Sequence, residues 1–503
     1  MFMTIILSKK NYITFIRIFY NMKKCAIILI LLMICPLFVF GCSRETACLN
    51  EYSIKIEYDD LTHTAFASEN VTYYNFSEDE LENVCFHLYP NAFRKDAKNE
   101  VVAPASVSKA YPNGKSYGGI NIESVKKQEY ALNYEIVGED KNILKVNLEE
   151  KLKPGENIAI SIDFSLLLPN INHRFGYGDN TVNFGNFYPI ACVYEEGGFV
   201  QDLYSSNGDP FYSQCARYDV EVKYDKDFIL ASTGKQYFDA EENNLKITKI
   251  SAENVRDFCF VLSDKFSVIE GNAGKTKVKY FYYGDKDPDN SLKTAIKSLN
   301  TFSDSYGIYP YEQYSVVECN FVYGGMEFPQ LVMISDDLSS KEDYQYVIIH
   351  ESAHQWWYGV VGNNQYENAW IDEGLAEYST AIFYDKNLEY GVKYKNMIRA
   401  AQRNYDIFVQ IFGDIYKELD TSMNRRLCDF KTEPEYVNCT YTKGMLMFNQ
   451  IREEVGEKKL EKALRKLFDE KKYKNTSYVE FLRIMSKHAG NKAEKIILIN
   501  VEK

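Results

Sequence analysis

The chain is poor in several residue types whose absence is informative. Histidine occurs six times, tryptophan three times and proline twelve times in 503 residues, while tyrosine occurs 41 times. No Cys-x-x-Cys pair is present among the eleven cysteines, so neither a cysteine zinc site nor a dense disulfide scaffold is indicated, although one or two ordinary disulfides remain open. No stripe of lysine and arginine is found, and 58 basic residues against 71 acidic ones leave a net charge of −13, which excludes a nucleic-acid binder because phosphate recognition needs a basic face. Internal repeats, low-complexity tracts and Pro/Ser-rich linkers are absent as well. The longest apolar run, Cys25 to Phe40, is shorter than the ~20 residues of a membrane span and is broken by Pro36.

That run has a different use. Met22-Lys23-Lys24, an apolar stretch and then Gly41-Cys42 form a charged region, a hydrophobic region and a small residue before a cysteine, the layout of a secretory leader. Val39-Phe40-Gly41-Cys42 resembles the lipobox of bacterial lipoproteins. The resemblance implies removal of residues 1–41 and a lipid on Cys42, and hence a membrane-attached protein facing outside the cytoplasm. Residues 1–21 read as an upstream extension of a chain that starts at Met22.

Beyond the leader, two rhythms follow one another. Residues 42–270 alternate apolar and polar positions in short β-branched and aromatic segments, among them Tyr52 to Tyr58, Ile143 to Leu148, Ile158 to Leu167 and Val220 to Tyr224. Turn residues such as Pro154-Gly155 and Asn207-Gly208-Asp209-Pro210 separate them. Residues 271–503 change to helical spacing over Ser291 to Asp304, Asp343 to Tyr358, Gly374 to Asp385, Val392 to Phe412, Lys443 to Val455, Lys458 to Glu470 and Tyr478 to Lys487, with some strand around Tyr314 to Ile334. The expected fold class is α+β in two domains: an all-β sandwich or saddle, then a mainly helical domain.

Two of the six histidines lie four residues apart. His350-Glu351-Ser352-Ala353-His354 is an HExxH motif in a helical stretch, so both imidazoles project from one face and can grip one metal while Glu351 stands ready to polarise water. With eighteen residues between it and His354, Glu373 offers a third ligand; two histidines and a glutamate form an open catalytic zinc site with one position left for water. Upstream stands Gly324-Gly325-Met326-Glu327 and downstream Tyr441-Thr442-Lys443-Gly444.

These motifs, in this order and spacing, resemble the zinc aminopeptidase family typified by aminopeptidase N. The resemblance implies a thermolysin-like second domain and one zinc ion per chain on His350, His354 and Glu373. It also implies Glu351 as general base, Tyr441 as donor to the developing oxyanion, and peptides with a free N-terminus as substrates. Glu327 would pair with the substrate ammonium, and the glycine-rich backbone of Gly324, Gly325 and Met326 would lie along the substrate. Phe328 departs from the Asn that commonly follows this glutamate and puts substrate preference in doubt. In the β half, Tyr212-Ser213-Gln214-Cys215 partly resembles the place where the family sends an amide or acid to the amine, which makes Gln214 a candidate. With 62 residues after Tyr441, the resemblance implies a short form without the large C-terminal helical domain of many relatives, and a more open site. The alternatives are a non-catalytic zinc-containing peptide-binding lipoprotein and an endopeptidase or other zinc hydrolase on the same frame.

Overall fold

The structure, a computed structural model, describes residues 49–417 and 419–502. The leader 1–41 and Cys42 lie outside the described residues. Among the described residues no helix is long and apolar enough to cross a membrane.

The first half is built from β1 (Asn50–Asp59), β2 (Thr64–Tyr74), β3 (Leu81–His87), β4 (Gly119–Lys127), β5 (Ile143–Leu152), β6 (Asn157–Leu167), β7 (Ala216–Asp225), β8 (Lys235–Glu242) and β9 (Leu245–Val255). A large twisted sheet runs β8-β9-β7-β1-β2-β6-β4 and ends on Tyr130–Ala131; only the β1/β7 pair is parallel. Its strands alternate as their sequences do: Tyr52, Ile54, Ile56 and Tyr58 of β1 are buried while Lys55 and Glu57 face water. The buried face packs on a second layer of two four-stranded sheets, one of them β3 and β5 with two short strands, the other around Val182–Gly185 and Cys259–Ser263. Tyr52 stacks on Tyr218 and meets Tyr188 edge-on across that layer.

The second half opens with a hairpin, β10 (Ser267–Ala273) and β11 (Thr276–Tyr282), that joins β12 (Gln313–Cys319), β13 (Gly325–Met326) and β14 (Leu331–Ser335) in the order β10-β11-β12-β14-β13. The expected boundary at residue 270 therefore falls inside β10, and by hydrogen bonding the change of sheet lies between Ser263 and Ser267. Against this sheet pack α1 (Pro288–Tyr306) and α2 (Lys341–His354), and the helices that complete this half around them are the short α3 (Gln365–Asn368), α4 (Trp370–Lys386), α5 (Tyr394–Ile415), α6 (Lys443–Val455), α7 (Glu457–Lys471), α8 (Tyr478–Ala489) and α9 (Asn491–Glu502). The β-then-helix architecture is the one the two rhythms led us to expect.

Two differences from the sequence reading have physical causes. The helix expected over 343–358 ends at His354, because the next residues turn back on themselves: Gly359 N donates to His354 O and Tyr358 takes φ 133°. Trp356 and Trp357 are buried in this turn. The seven described cysteines, Cys85, Cys192, Cys215, Cys259, Cys319, Cys428 and Cys439, are all free thiols.

Candidate active site

Helix α2 carries the motif and is buried along most of its length. Its start is fixed by a capping box: Ser340 Oγ accepts from Asp343 N (3.1 Å) and Asp343 Oδ2 accepts from Ser340 N (3.2 Å), which fixes which face meets the sheet. His350 and His354, one turn apart, bring their Nε2 atoms to 3.1 Å from each other. Glu373 in the first turn of α4 places Oε2 3.4 Å from His350 Nε2 and 3.2 Å from His354 Nε2. A tetrahedral ion bonded at about 2.0–2.1 Å requires ligand atoms about 3.3–3.4 Å apart. The observed triangle fits that requirement, and Glu373 Oε2 is a buried oxygen without a hydrogen-bond donor.

Electrostatics points the same way. Burial works to raise the Glu373 carboxyl, but the two imidazoles outweigh it and hold it at about 2. Burial works to lower the His354 imidazole, and Glu373 and Glu327 outweigh that, holding it well above its ordinary range. Buried acids around two imidazoles favour positive charge between them, and the donors are nitrogen and oxygen types suited to zinc. Burial pushes Glu351 up to about 7 against the pull of both histidines. Its Oε2 has no partner, and the carboxyl lies so close to β13 that a Cβ on Gly325 would stand 2.5 Å from Oε1. Gly325 is thus required by the close approach of the candidate base.

Behind the ligands, His354 and Glu373 are oriented by further groups. His354 Nδ1 meets the Trp357 carbonyl oxygen at 2.9 Å. For His350, the nearest acid to Nδ1 is Glu377 at 3.8 Å, and Glu377 itself accepts from Tyr346 Oη (2.6 and 2.7 Å). Tyr441 Oη donates to Glu373 Oε1 at 2.5 Å, and its ring lies parallel to His350. It can do so because it sits in a single turn of π-helix (Asn438–Thr442) and because Gly444 and Gly374 let α6 and α4 touch backbone to backbone.

Glu327 is 3% exposed and stands at the end of the edge strand β13, where Gly325 pairs with Ile334 and Met326 with Met333. Gln365 Nε2 donates to Glu327 Oε1 (2.7 Å) and to Asp372 Oδ2 (2.7 Å), so the residue that holds Glu327 is Gln365, the first residue of α3. Phe328 does not enter the site. It is fully buried against Gly185, where a Cβ would meet its ring at 2.5 Å, and its carbonyl oxygen accepts from Gln355 Nε2 and Leu331 N.

The structure does not bring Gln214 to the cavity over the metal ligands, and the Met326 side chain is fully buried away from it. Gln214 is half-buried just before β7. Asp209, five residues earlier, occupies that place: its carboxylate lies within 4.8 Å of those of Glu327 and Glu373. The loop turns at Gly208 (φ 69°), whose missing Cβ makes room for Tyr436 Oη, and Arg174 pairs with Asp209. Burial raises Asp209 and Glu327, against Arg174 in the case of Asp209. The sequence did flag Asn207-Gly208-Asp209-Pro210, but only as a turn; Arg174 and Gln365 gave no sequence signal. Over these groups lies a cavity of about 260 Å³ walled by Tyr204, Tyr323, Tyr436 and Arg174 as well as by the motif residues.

Comparison with known proteins agrees with this geometry. Residues 290–500 match the model of the peptidase family M1 domain. The chain is similar to leucine aminopeptidase 2-2 of Meyerozyma guilliermondii, 26% identical over 212 residues that make up 39% of this chain and 33% of that one. It is also similar to aminopeptidase N of Haemonchus contortus, 23% identical over 237 residues, 43% of this chain and 23% of that one. These matches thus span about a third or less of such relatives. Among solved structures, the M1 zinc metallopeptidase of Deinococcus radiodurans shares the fold, with TM-score 0.65 and 14% identity over 90% of this chain and 94% of that one. A mutant of that protein bound to the peptide Tyr-Ser-Ala gives TM-score 0.63. Residues 290–500, with a histidine pair and a glutamate set for one metal ion, are thus similar to the domain of peptidase family M1.

Proposed function

We propose that this protein is a zinc-dependent aminopeptidase that removes single residues from the free N-terminus of peptides. The observation that carries the reading is the pair of carboxylates beside the metal ligands: Glu327 and Asp209 lie within 4.8 Å of each other and of Glu373. Two buried carboxylates at that place have no cation of their own except Arg174, and an α-ammonium fits between them, which sets the scissile bond one residue from the chain end. The names of the relatives, leucine aminopeptidase and aminopeptidase N, support the same reading.

Zinc held by His350, His354 and Glu373 would supply Lewis acidity, acidifying water and polarising a carbonyl. Glu351 takes the proton of the attacking water on its unpartnered Oε2 and passes it to the leaving amine. Burial supports this by placing the carboxyl near neutrality, where it can both accept and release a proton. Tyr441 Oη, bonded to Glu373 Oε1 in the free protein, turns toward the carbonyl oxygen of the substrate as negative charge develops there. The free edge of β13 at Gly325 and Met326 gives the peptide backbone a strand to pair with. We further propose that the leader ending at Cys42 exports the protein and leaves it lipid-anchored; this rests on residues 22–42 of the sequence alone, and loss of detergent-phase partitioning in Cys42→Ala tests it.

The test of the activity is a panel of aminoacyl fluorogenic amides with the purified protein, with and without chelator, beside Glu351→Gln. Release that is abolished by chelator, restored by one equivalent of zinc and absent in the variant is the expected result. No release from any free-amine substrate by zinc-loaded protein would refute the reading.

A further inference from the structure

The turn after α2 is held from the other half of the chain. His354 Nδ1 meets the Trp357 carbonyl oxygen at 2.9 Å, and because a carbonyl only accepts, Nδ1 carries a proton and Nε2, beside Glu373 and His350, is the ring nitrogen left for a metal. Position and tilt of that imidazole therefore follow the Trp357–Tyr358 peptide. Tyr358 adopts φ 133°, a conformation that costs a tyrosine free energy and persists only where its surroundings impose it.

Two neighbours impose it. Arg256, between β9 and Cys259–Ser263, donates from Nε to the Tyr358 carbonyl oxygen at 2.5 Å and lies 5.4 Å from the centre of the Tyr358 ring. Asp257 Oδ2 accepts the hydrogen bond of Tyr358 Oη. The guanidinium is itself fixed, since Nη1 donates to Ser213 O (3.1 Å) and to Asn475 Oδ1 (2.7 Å), and Asn475 belongs to a short strand that pairs with Val361–Gly362. Gly362 has to be glycine for this: a Cβ there would stand 2.2–2.4 Å from the guanidinium. Arg256 and Asp257 are each 1% exposed, and burying both ions is costly for a joint that an apolar contact could make.

We propose that Arg256 and Asp257 are positioning residues for the metal ligand His354, pinning Tyr358 so that the Trp357 carbonyl orients the imidazole. The clamp makes the tightness of the metal site depend on the docking of the β half against the helical half. It rests on His354 being a ligand, as the proposed function has it, and it goes beyond that reading in assigning a role to groups that touch neither metal nor peptide.

Zinc affinity of the full chain, measured by competition with a chromophoric chelator, tests it. Arg256→Gln is expected to raise the zinc dissociation constant about 10- to 100-fold, the range usual for groups that orient a ligand, with partial recovery in Arg256→Lys. Tyr358→Phe, which removes one hydroxyl and keeps the ring, is expected to raise it about threefold or more. The visible spectrum of the cobalt-loaded protein should change in the same variants. Unchanged zinc affinity and cobalt spectrum in Tyr358→Phe, and in Arg256→Gln wherever circular dichroism shows it folded, would reduce the cluster to a structural joint and overturn the proposal. If Arg256→Gln does not fold, Tyr358→Phe decides alone. Failure of the unsubstituted protein to bind zinc would instead refute the proposed function.

Discussion

Glu327→Gln separates amine recognition from every other function of the site. The substitution keeps shape and keeps an oxygen for Gln365 Nε2, which now donates to Glu327 Oε1 at 2.7 Å, so the loop after α2 should stay in place. What it removes is one negative charge from a pocket where Asp209 supplies the second. Two unit charges about 4 Å apart attract by about 4 kcal/mol at the effective dielectric constant of about 20 that suits such sites. The neutral amide still accepts a hydrogen bond worth about 1 kcal/mol, which leaves a loss of about 3 kcal/mol. At 1.36 kcal/mol per decade this is about a 150-fold fall in kcat/KM. The assay compares a dipeptide amide with its N-acetylated form, because the latter has no ammonium to lose. A fall of about two decades on the free amine, with the acetylated substrate changed less than about threefold, is expected. Equal losses on both substrates, or a loss below about fivefold on the free amine, would refute the pairing of Glu327 with the ammonium and the argument built on it.

Other expectations follow from the same geometry. Tyr441→Phe should lower kcat by about 10²- to 10³-fold with little change in KM, as for loss of one oxyanion donor, measured by steady-state kinetics. Phe328→Asn should cost about 3 kcal/mol or more of stability in a denaturant titration, because it replaces a fully buried ring with an amide that has no partner, and it should leave the preference for free amines unchanged. Asp202 gives a pH test away from the metal. Burial raises its carboxyl from 3.8 to about 6, so its ionisation opposes folding, absent below the unfolded value and complete above the folded one. The stability gained by Asp202→Asn over the unsubstituted protein should therefore grow as pH rises from about 4 to about 6 and stay level above, read by thermal unfolding across that range.

The chemistry of the centre was legible in the sequence because it is local. A helix fixes the relation of His350, Glu351 and His354 within one turn, and with only six histidines that pair stood out. The remaining four bear this out: His63 stacks on Tyr177 beside Tyr58 Oη, His87 and His173 are core rings without hydrogen-bond partners, and the half-buried His488 pairs with Glu470. Strand alternation in β1, β6 and β7 and the helical spacing from Pro288 onward are equally short-range, so the order of the two halves could be read directly. Glycines at 325, 374 and 444 could be noted in their motifs, but why no side chain fits there depends on Glu351 and on the contact between α4 and α6.

What only the tertiary structure decided are the contacts between distant segments. Asp209 comes to Glu327 from 118 positions away through a loop bent at Gly208 and paired with Arg174; no period or spacing encodes that pairing, and the neighbouring Gln214 was as plausible on residue type. Gln365 comes to support Glu327 because the chain after α2 folds back at Tyr358 and brings the start of α3 to that carboxylate. Residue type and local period thus determined which atoms do chemistry. Long-range packing, where loop paths and buried partners are chosen jointly by both halves, determined which atoms hold them in place.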